Sequence, residues 1–254
     1  MGCGQQGVGV GQEKNPDKII NFAHALTEHD GFNKSCFADN DNKKAISAMG
    51  KYGGWATTIH YACESLGVNV AIVTTPDNEH FDTLTQLAGY PLRLVVCEKP
   101  ICSNLQQARE IVELYKAKGI PLMVNYTRRF LPYYDYLKQY GKPNYAQCTY
   151  NRGLLHTGSH GIDFFNMIGA DNFSLIAYPK EDYRMWDMKV FYENHAFREL
   201  RIGEDPVWNY YDKSHMHIIN NAYEFLEGRE EIKCTGEMAL DSLEKCYELM
   251  EGEK

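Results

Sequence analysis

Residues 93–125 read RLVVCEKPICSNLQQAREIVELYKAKGIPLMVN, and this stretch decides the fold class. Its two apolar runs, residues 93–97 and 120–125, are typical of parallel strands that are covered on both faces. Between the runs, Ser103 is a candidate N-cap and Gly119 a candidate C-cap of a helix. The apolar face of that helix would consist of Leu105, Ala108, Ile111, Val112 and Tyr115. A strand, a helix and a strand in this order indicate a βαβ unit of a parallel sheet.

Two further predicted strands precede this unit, and the residues after it differ in composition and in polarity pattern. Residues 34–39 and 68–75 are predicted strands, and right-handed crossovers between parallel strands favour a doubly wound arrangement. After about residue 130 tyrosines become dense, and residues 188–192 alternate in polarity as in an antiparallel sheet with one wet face. We therefore predict an α/β protein. It would have a Rossmann-like parallel-sheet domain over residues 1–128 and a smaller α+β domain, with a mostly antiparallel sheet, over residues 129–254.

The composition argues against several classes of protein. The 254 residues include 26 Lys and Arg against 34 Asp and Glu, a formal net charge of −8, which disfavours nucleic acid and anionic membrane surfaces as partners. No apolar run approaches the roughly 18 residues of a membrane span. The N-terminus lacks the basic start and the following apolar run that are typical of a secretory signal. The eight cysteines form no Cys-x-x-Cys pair, which favours a reduced cytoplasmic protein without a metal site.

The chain opens with a glycine pattern, Gly2-Cys3-Gly4-Gln5-Gln6-Gly7, that matches the dinucleotide-binding fingerprint. The first glycine permits a tight turn, the second lets backbone N–H groups approach a pyrophosphate, and the third lets a helix pack close to a strand. Gln5 and Gln6 count with the three glycines as candidate cofactor contacts. The pattern normally follows a strand, but only Met1 precedes it, so we expect the first strand of the sheet to be absent from this chain. A flexible glycine-rich terminus is the alternative.

Asp39 ends the second predicted strand, where a carboxylate can accept hydrogen bonds from the ribose hydroxyls of a dinucleotide. Its distance from Gly2, 39 − 2 = 37 residues, exceeds the usual spacing of about 20, and we assign the excess to a loop between Val8 and Asp17. An acid at this position repels a 2′-phosphate and therefore favours NAD over NADP. The alternative is a solvated aspartate in a turn with Asp41.

Polar residues follow the later predicted strands, at the sheet edge where open parallel sheets bind ligands. Asn78 would serve equally well as a helix cap, and Lys99 as a surface lysine in a turn. Beside an oxidised nicotinamide ring, like charge and desolvation would disfavour the ammonium form of Lys99, which suits acid–base chemistry. The candidate cofactor contacts at these strand ends are Thr74, Thr75, Pro76, Asn78, His80, Glu98, Lys99 and Asn125.

Together these features form a series that resembles the Gfo/Idh/MocA oxidoreductase family. The series runs from the glycine pattern and Asp39 through residues 74–80 and Glu98-Lys99-Pro100 to residues 124–132. The Glu-Lys-Pro motif is its most specific part. Within the family, the Gly153-Leu-Leu-His156-Thr-Gly-Ser-His160-Gly-Ile-Asp163 stretch is most similar to the branch associated with polysaccharide and lipopolysaccharide sugar biosynthesis.

The resemblance implies NAD-dependent hydride transfer between nicotinamide and a hydroxyl or ketone of a sugar or nucleotide sugar. It implies that Lys99 and His160 are the catalytic residues. The candidate substrate contacts are Lys99, Tyr126, Arg128, His156, His160 and Asp163. It is also compatible with a homo-oligomer formed through the sheet of the second domain.

Two departures from the family keep alternatives open. Many members carry an aspartate four residues before the catalytic histidine, where this chain has His156. His156, His160 and Asp163 would share one face of a helix, a spacing that also occurs in metal sites, although no further ligand cluster accompanies them. Asp163 would orient a histidine or cap backbone groups. With the expected loss of the first strand, these departures leave a second hypothesis: a catalytically inactive or truncated dehydrogenase-like binding protein.

Overall fold

The computed structural model describes residues 2–9, 15, 17–33, 35–179, 186–193, 197–200 and 212–252. Most of the loop predicted between Val8 and Asp17, and the first residue of the strand predicted at residues 34–39, therefore lie outside the described residues. Contacts divide the chain into two units. The first contains residues 1–125 and 212–240, and the second contains residues 126–211 and 241–254.

The first unit alternates helices and strands. None of the described helices in either unit is long and apolar enough to cross a membrane. The elements of the first unit are α1 (Gln5–Val8), α2 (Phe22–Glu28), β1 (Cys36–Phe37), α3 (Asn42–Tyr52), β2 (Trp55–Ala56), α4 (Ile59–Glu64), β3 (Val70–Val73), α5 (His80–Leu87), β4 (Leu94–Glu98), α6 (Leu105–Lys118), β5 (Leu122–Asn125) and α9 (Ser214–Leu226).

These strands form parallel sheets, as the apolar runs predict. β1 pairs with β2, and a second sheet has the order β3–β4–β5, with Glu98 of β4 opposite Asn125 of β5. β4 and β5 are buried along almost their whole length, as expected of parallel strands that are covered on both faces. The parallel register brings the carboxyl ends of β3, β4 and β5 to one edge, which is where the candidate residues lie.

The helix that decides the fold class, α6, forms over the predicted residues. Its apolar face is buried at Ala108, Ile111, Val112 and Tyr115. Gly119 ends it in the left-handed conformation, with φ 66°. The N-cap is Asn104 and not Ser103, because the Asn104 side chain accepts a hydrogen bond from the Gln107 N–H at 3.1 Å.

β1 and β3 belong to different sheets, and no strand in the described part of the chain pairs with both of them. Gly2 spans the gap: its N–H donates to the Ala38 carbonyl at 3.0 Å, and its carbonyl accepts from the Thr74 hydroxyl at 2.6 Å. Ala38 follows β1 and Thr74 follows β3, so a single residue connects the ends of the two parallel sheets.

The second unit is built on a four-stranded sheet of order β7–β6–β8–β9, with one parallel and two antiparallel pairs. Buried and accessible residues alternate along β6 and β8, so one face packs on a core and the other faces solvent. The core lies between this sheet and α8, together with part of α10. The elements are α7 (Pro132–Leu137), β6 (Pro143–Tyr150), α8 (Ser159–Ile168), β7 (Phe173–Ala177), β8 (Trp186–Tyr192), β9 (Phe197–Leu200) and α10 (Gly236–Gly252).

The predicted fold class is confirmed: a Rossmann-like parallel-sheet domain accompanies a domain with a mixed, mainly antiparallel sheet. The single boundary between residues 128 and 129 does not describe the two units. Residues 212–240 return to the first unit, because α9 packs against α2 and the Cys234 carbonyl accepts from the Val124 N–H of β5 at 2.9 Å. The sequence carries no signal for this return.

The gap between β1 and β3 leads to a prediction about added chain. We expect that about five Val and Ile residues placed before Met1 will pair with both strands. They would add backbone hydrogen bonds to both strands and so hold the glycine turn more firmly than the two hydrogen bonds of Gly2 do alone. The extended protein should melt at a higher temperature than the chain without the added residues, and calorimetry should show that it binds NAD more tightly. A Gly-Ser segment of equal length is the control, and equal effects of the two segments would contradict strand pairing.

Candidate functional site

The glycine turn that leads into α1 is closely packed at Gly2 and Gly7 and open at Gly4. Gly2 has φ +88°, and a Cβ there would lie 2.4 Å from the Thr74 carbonyl oxygen. A Cβ on Gly7 would lie 2.3 Å from the Gly2 carbonyl oxygen. A Cβ on Gly4 would meet nothing within 4 Å. The first and third glycines therefore permit close packing, and the second leaves space in front of the turn for a ligand.

Two side chains of α3 hold the far end of α1, and the sequence analysis did not identify them. The Tyr52 hydroxyl donates to the Val8 carbonyl at 3.0 Å, and the Lys51 ammonium donates to the Gly9 carbonyl at 3.3 Å. A cation near the C-terminal carbonyls of a helix is electrostatically favourable. No local pattern relates residues this distant in sequence, so only tertiary structure reveals the role.

Asp39 is half-buried beside the glycine turn. One carboxylate oxygen accepts from the Cys3 N–H at 2.7 Å, and the other accepts from the Asp41 N–H at 2.8 Å. The turn with Asp41 is therefore present, and so is a direct contact with the glycine turn. Each oxygen keeps a further lone pair that can accept from a ligand hydroxyl.

The candidate cofactor contacts just after β3 differ in burial and in hydrogen bonding. The Thr74 hydroxyl donates to the Gly2 carbonyl at 2.6 Å, which ties this segment to the glycine turn. The Thr75 Oγ1 atom is buried and has no hydrogen-bond partner among the described residues. Pro76 and Asn78 are exposed. Asn78 lies inside the short 3₁₀ turn Asp77–Glu79, whose N-cap is Pro76, so the cap role considered for Asn78 is not observed.

His80 does not have the environment expected of a direct cofactor contact. Its side chain is fully buried. Its Nδ1 atom lies 2.8 Å from the Pro100 carbonyl oxygen, and its Nε2 atom lies 3.0 Å from the Thr75 carbonyl oxygen. Both ring nitrogens face backbone carbonyl oxygens, so the His80 side chain connects two loops in place of the predicted contact with a cofactor.

The end of β4 carries Glu98 and Lys99, both half-buried, followed by a cis peptide bond to Pro100. The buried Asn125 amide donates to the Glu98 carboxylate at 2.6 Å across the strand pair. Burial raises the pKa of Glu98 to about 7, against the opposing effects of the Asn125 hydrogen bond and the Lys99 charge. This edge therefore holds a carboxyl group that titrates near neutral pH beside a lysine.

In the second unit, Tyr126 and Arg128 are buried, at 1% and 3% exposure. The Tyr126 ring meets the His160 ring edge to face, with centroids 5.5 Å apart. The Arg128 guanidinium lies 4.0 Å from the centre of the Trp186 ring, a cation–π contact. Arg128 is thus packed against Trp186.

Asp163 has a structural partner. Its carboxylate accepts two hydrogen bonds from Nε of Arg129, at 2.8 and 2.9 Å, and one from the Ser242 hydroxyl at 3.2 Å. Burial raises the pKa of Asp163 to about 6, and the Arg129 charge is the main opposing effect. Neither role considered for Asp163, orienting a histidine or capping backbone groups, is the one observed, and a buried salt-bridged carboxylate is a poor substrate contact.

His156, His160 and Asp163 do not share one face of a helix. His156 is exposed on a π-helical turn, Leu154–Gly158, whereas α8 begins at Ser159. His160 is half-buried and Asp163 is fully buried. The change from a π-helical to an α-helical turn alters the angular spacing that a uniform helix would give. Within the described ranges, no group of His, Cys, Asp or Glu could hold a metal ion.

Comparison with known proteins extends these observations. Residues 8–126 match the Gfo/Idh/MocA family model, an oxidoreductase family with an NAD-binding Rossmann fold. The chain is 29% identical over 162 residues to scyllo-inositol 2-dehydrogenase (NAD(+)) of Bacillus subtilis, covering 57% of this chain and 47% of that protein. It is 24% identical over 212 residues to inositol 2-dehydrogenase/D-chiro-inositol 3-dehydrogenase of Lactiplantibacillus plantarum, covering 75% and 57%. The matches thus span about half the length of these curated relatives.

Solved structures show the same fold at low sequence identity. A dehydrogenase from Chromobacterium violaceum superposes with a TM-score of 0.77 at 12% identity, covering 90% of each chain. An oxidoreductase from Agrobacterium radiobacter, in complex with NAD+, L-tartaric acid and magnesium, superposes with a TM-score of 0.67 at 14% identity, covering 87% of this chain and 88% of that one.

The unequal packing of the glycines predicts unequal effects of alanine substitutions. Gly4→Ala should leave the melting temperature unchanged and weaken NAD binding, because its methyl group would project into the open space in front of the turn. Gly7→Ala should destabilise the protein by about 1–3 kcal/mol, because its methyl group would overlap backbone. Thermal melts and calorimetric titrations of both variants test this. Full NAD affinity in Gly4→Ala would contradict a ligand site at the turn.

The raised pKa of Glu98 predicts a pH-dependent stability. Between the ordinary value of 4.5 and about 7, the folded protein retains a proton that the unfolded chain has lost. This contribution to stability is therefore complete below about pH 4.5 and is lost as the pH rises through about 7. Urea unfolding at several pH values should show that Glu98→Gln makes the free energy of unfolding depend less on pH between 4.5 and about 7. Glu110→Gln, at an exposed position on α6, is the control. An unchanged slope in Glu98→Gln would contradict the assignment.

Proposed function

We propose that the protein is an oxidoreductase of the Gfo/Idh/MocA family that transfers a hydride between NAD and a hydroxyl or ketone carbon of a sugar-like substrate. The match of residues 8–126 to the NAD-binding Rossmann model of that family supports this proposal. The observation that carries the proposal is the arrangement at the strand ends of the first unit. There the glycine turn is fixed through Thr74, and Lys99 and Glu98 lie at the end of the neighbouring strand β4.

The residues of the glycine turn fit a dinucleotide. The open space at Gly4 lets a pyrophosphate approach the start of α1, and Gln5 and Gln6 are exposed beside it. Asp39 is positioned by the Cys3 N–H to accept ribose hydroxyls. NAD, when bound, supplies the nicotinamide carbon that accepts or returns the hydride.

In the direction of alcohol oxidation, Lys99 takes the hydroxyl proton while the carbinol carbon gives up its hydride. Glu98 titrates near neutral pH and lies next to Lys99 in sequence, so its carboxylate form favours the protonated lysine. His160 is assigned a share of the same proton transfer, and the Tyr126 ring against it restricts its orientation. Asn125 fixes Glu98 through its amide.

The substrate class is a polyhydroxylated ring, either a free polyol or a sugar, including a nucleotide sugar. The curated relatives are named as inositol dehydrogenases, which supports the polyol. The Gly153–Asp163 motif supports the sugars of polysaccharide biosynthesis. His156, which is exposed, is assigned a contact with a substrate hydroxyl, whereas Arg128 and Asp163 contribute by supporting the second unit.

We further propose that the solvent-facing side of the mixed sheet binds a second copy of the chain. Ile176, Phe191 and Phe197 are large apolar residues on this sheet that are 38–43% exposed, and Tyr178, which follows β7, is 51% exposed. Exposed apolar surface of this kind is typical of protein interfaces. The cytoplasm is the proposed compartment, in agreement with eight cysteines that are all free thiols.

The Asp39 assignment predicts a preference for NAD. Wild-type protein should bind NAD more tightly than NADP in calorimetric titrations, because the carboxylate repels a 2′-phosphate. Asp39→Asn should shift the ratio of the two affinities towards NADP by roughly tenfold. Asp41→Asn changes an exposed acid two residues away and should leave the ratio unchanged. Tighter binding of NADP by the wild type would refute the assignment.

The acid–base assignment predicts the kinetics of three variants. Lys99→Ala and His160→Ala should each lower turnover by about 10²-fold or more. The double variant should lose far less than the product of the two, because both residues serve one proton transfer. Lys118→Ala, an exposed lysine on α6, is the control. The assay follows NADH across a panel of inositols, sugars and nucleotide sugars.

The same assay separates the enzyme from a binding protein with a dehydrogenase fold. NAD binding without NADH formation on any member of the panel would support the binding protein. A fully active Lys99→Ala variant would show that Lys99 does not take the hydroxyl proton of the substrate.

A further inference from the structure

The helix α1, which contains the second half of the glycine turn, is too short to be stable by itself. It spans four residues, Gln5–Val8, and ends at Gly9 in the left-handed conformation, with φ 62°. Its hydrogen bonds run from the Val8 N–H to Gly4 and from the Gly9 N–H to Gln5, both at 2.9 Å. The first turn of a helix is costly to form, because several residues are fixed for each hydrogen bond gained. The order of α1 therefore depends on contacts with other elements.

Two side chains at the end of α3 bind the last carbonyl groups of α1. The Tyr52 hydroxyl donates to the Val8 carbonyl at 3.0 Å. The Lys51 ammonium donates to the Val8 and Gly9 carbonyls, at 3.4 and 3.3 Å. A carbonyl oxygen has two lone pairs, so Val8 can accept from both side chains at once. The charge of Lys51 strengthens its contacts, because carbonyl groups at the end of a helix favour a nearby cation.

The other end of α3 is bonded to Asp39. One Asp39 carboxylate oxygen accepts from the N–H of Asp41, which is the N-cap of α3. The helix has 11 residues, a length of about 16 Å. Its buried face includes Ala45 and Ala48, whose small side chains belong to the same hydrophobic cluster as Val8 of α1. One helix therefore contacts both the carboxylate assigned to the ribose and the short helix that follows the glycines.

We propose that Lys51 and Tyr52 are positioning residues for the cofactor: they fix the end of α1, and α3 thereby sets where the glycine turn lies relative to Asp39. The inference rests on the proposed function, which assigns the turn to the pyrophosphate of NAD and Asp39 to its ribose. These two parts of NAD are joined covalently, so the protein groups that bind them must keep a fixed separation. Lys51 and Tyr52 act through α1, at the end away from Gly4.

Variants that each remove one donor test the proposal by calorimetric titration with NAD. Tyr52→Phe removes the hydroxyl and keeps the ring, whose neighbours are Phe37 and His24. Lys51→Met removes the ammonium and keeps the aliphatic chain. Each single variant should weaken NAD binding by about threefold, because the other donor still reaches Val8. The double variant leaves Val8 with neither donor and should weaken binding by about 30-fold, more than the product of the two.

Three further measurements separate positioning from general stability. Lys51→Arg keeps a cationic donor and should bind NAD within about twofold of the wild type. The ratio of the NAD and NADP affinities should stay at its wild-type value in every variant, because both cofactors contain the pyrophosphate and Asp39 is unchanged. Amide hydrogen exchange followed by NMR should be faster at Val8 and Gly9 in the double variant than in the wild type, and unchanged in α6.

Tyr61→Phe and Lys118→Met remove a hydroxyl and an ammonium at exposed positions of the first unit, and as controls they should match the wild type. Wild-type NAD affinity in the double variant would overturn the proposal, and so would faster exchange in α6 together with the loss of affinity. The exchange measurement needs no ligand, so unchanged exchange at the end of α1 would overturn the proposal even without a cofactor. A wild-type protein that binds no NAD would instead contradict the proposed function.

Discussion

Gly2 lies so close to the end of β3 that one added carbon atom would be 2.4 Å from the Thr74 carbonyl oxygen. Only a residue without a side chain can make this approach, and the remainder of the site depends on it. The Gly2 backbone bonds to Ala38 on one side and to Thr74 on the other, so the glycine turn is fixed to the ends of both parallel sheets. Asp39 then reaches the Cys3 N–H.

The polar residues at the strand ends divide into those that build the site and those that remain accessible. His80, Thr74 and Asn125 are occupied by carbonyl or carboxylate partners inside the first unit. Lys99 and Asp39 are half-buried, and a Cβ on Gly4 would meet nothing within 4 Å. A rigid inner layer of hydrogen bonds is what a site needs if its reactive groups are to keep their geometry.

The second unit depends on a buried ion pair. Arg129 and Asp163 meet inside the protein, and Ser242 adds a hydrogen bond to the carboxylate. Since Asp163 is on α8 and Arg129 is in the short 3₁₀ turn Thr127–Phe130, the pair fixes the helix that carries His160 to the segment that carries Tyr126. The raised pKa of Asp163 shows that burial costs the carboxylate more than its partners return, as for many buried ion pairs. The pair therefore specifies geometry more than it adds stability.

The sequence by itself determined the elements whose signals are local. The 3.6-residue periodicity of α6, the apolar runs of β4 and β5, and Gly119 as a C-cap depend only on neighbouring residues, and all are observed. The glycine spacing likewise predicted which residues form the turn. Tertiary structure decided the roles of the buried polar residues. His80 and Asp163 look like ligand contacts in sequence, but their partners, Pro100, Thr75 and Arg129, lie 5 to 34 residues away along the chain. Which polar group a buried side chain meets is set by packing between elements, and no local pattern records it. The return of residues 212–240 to the first unit has the same cause.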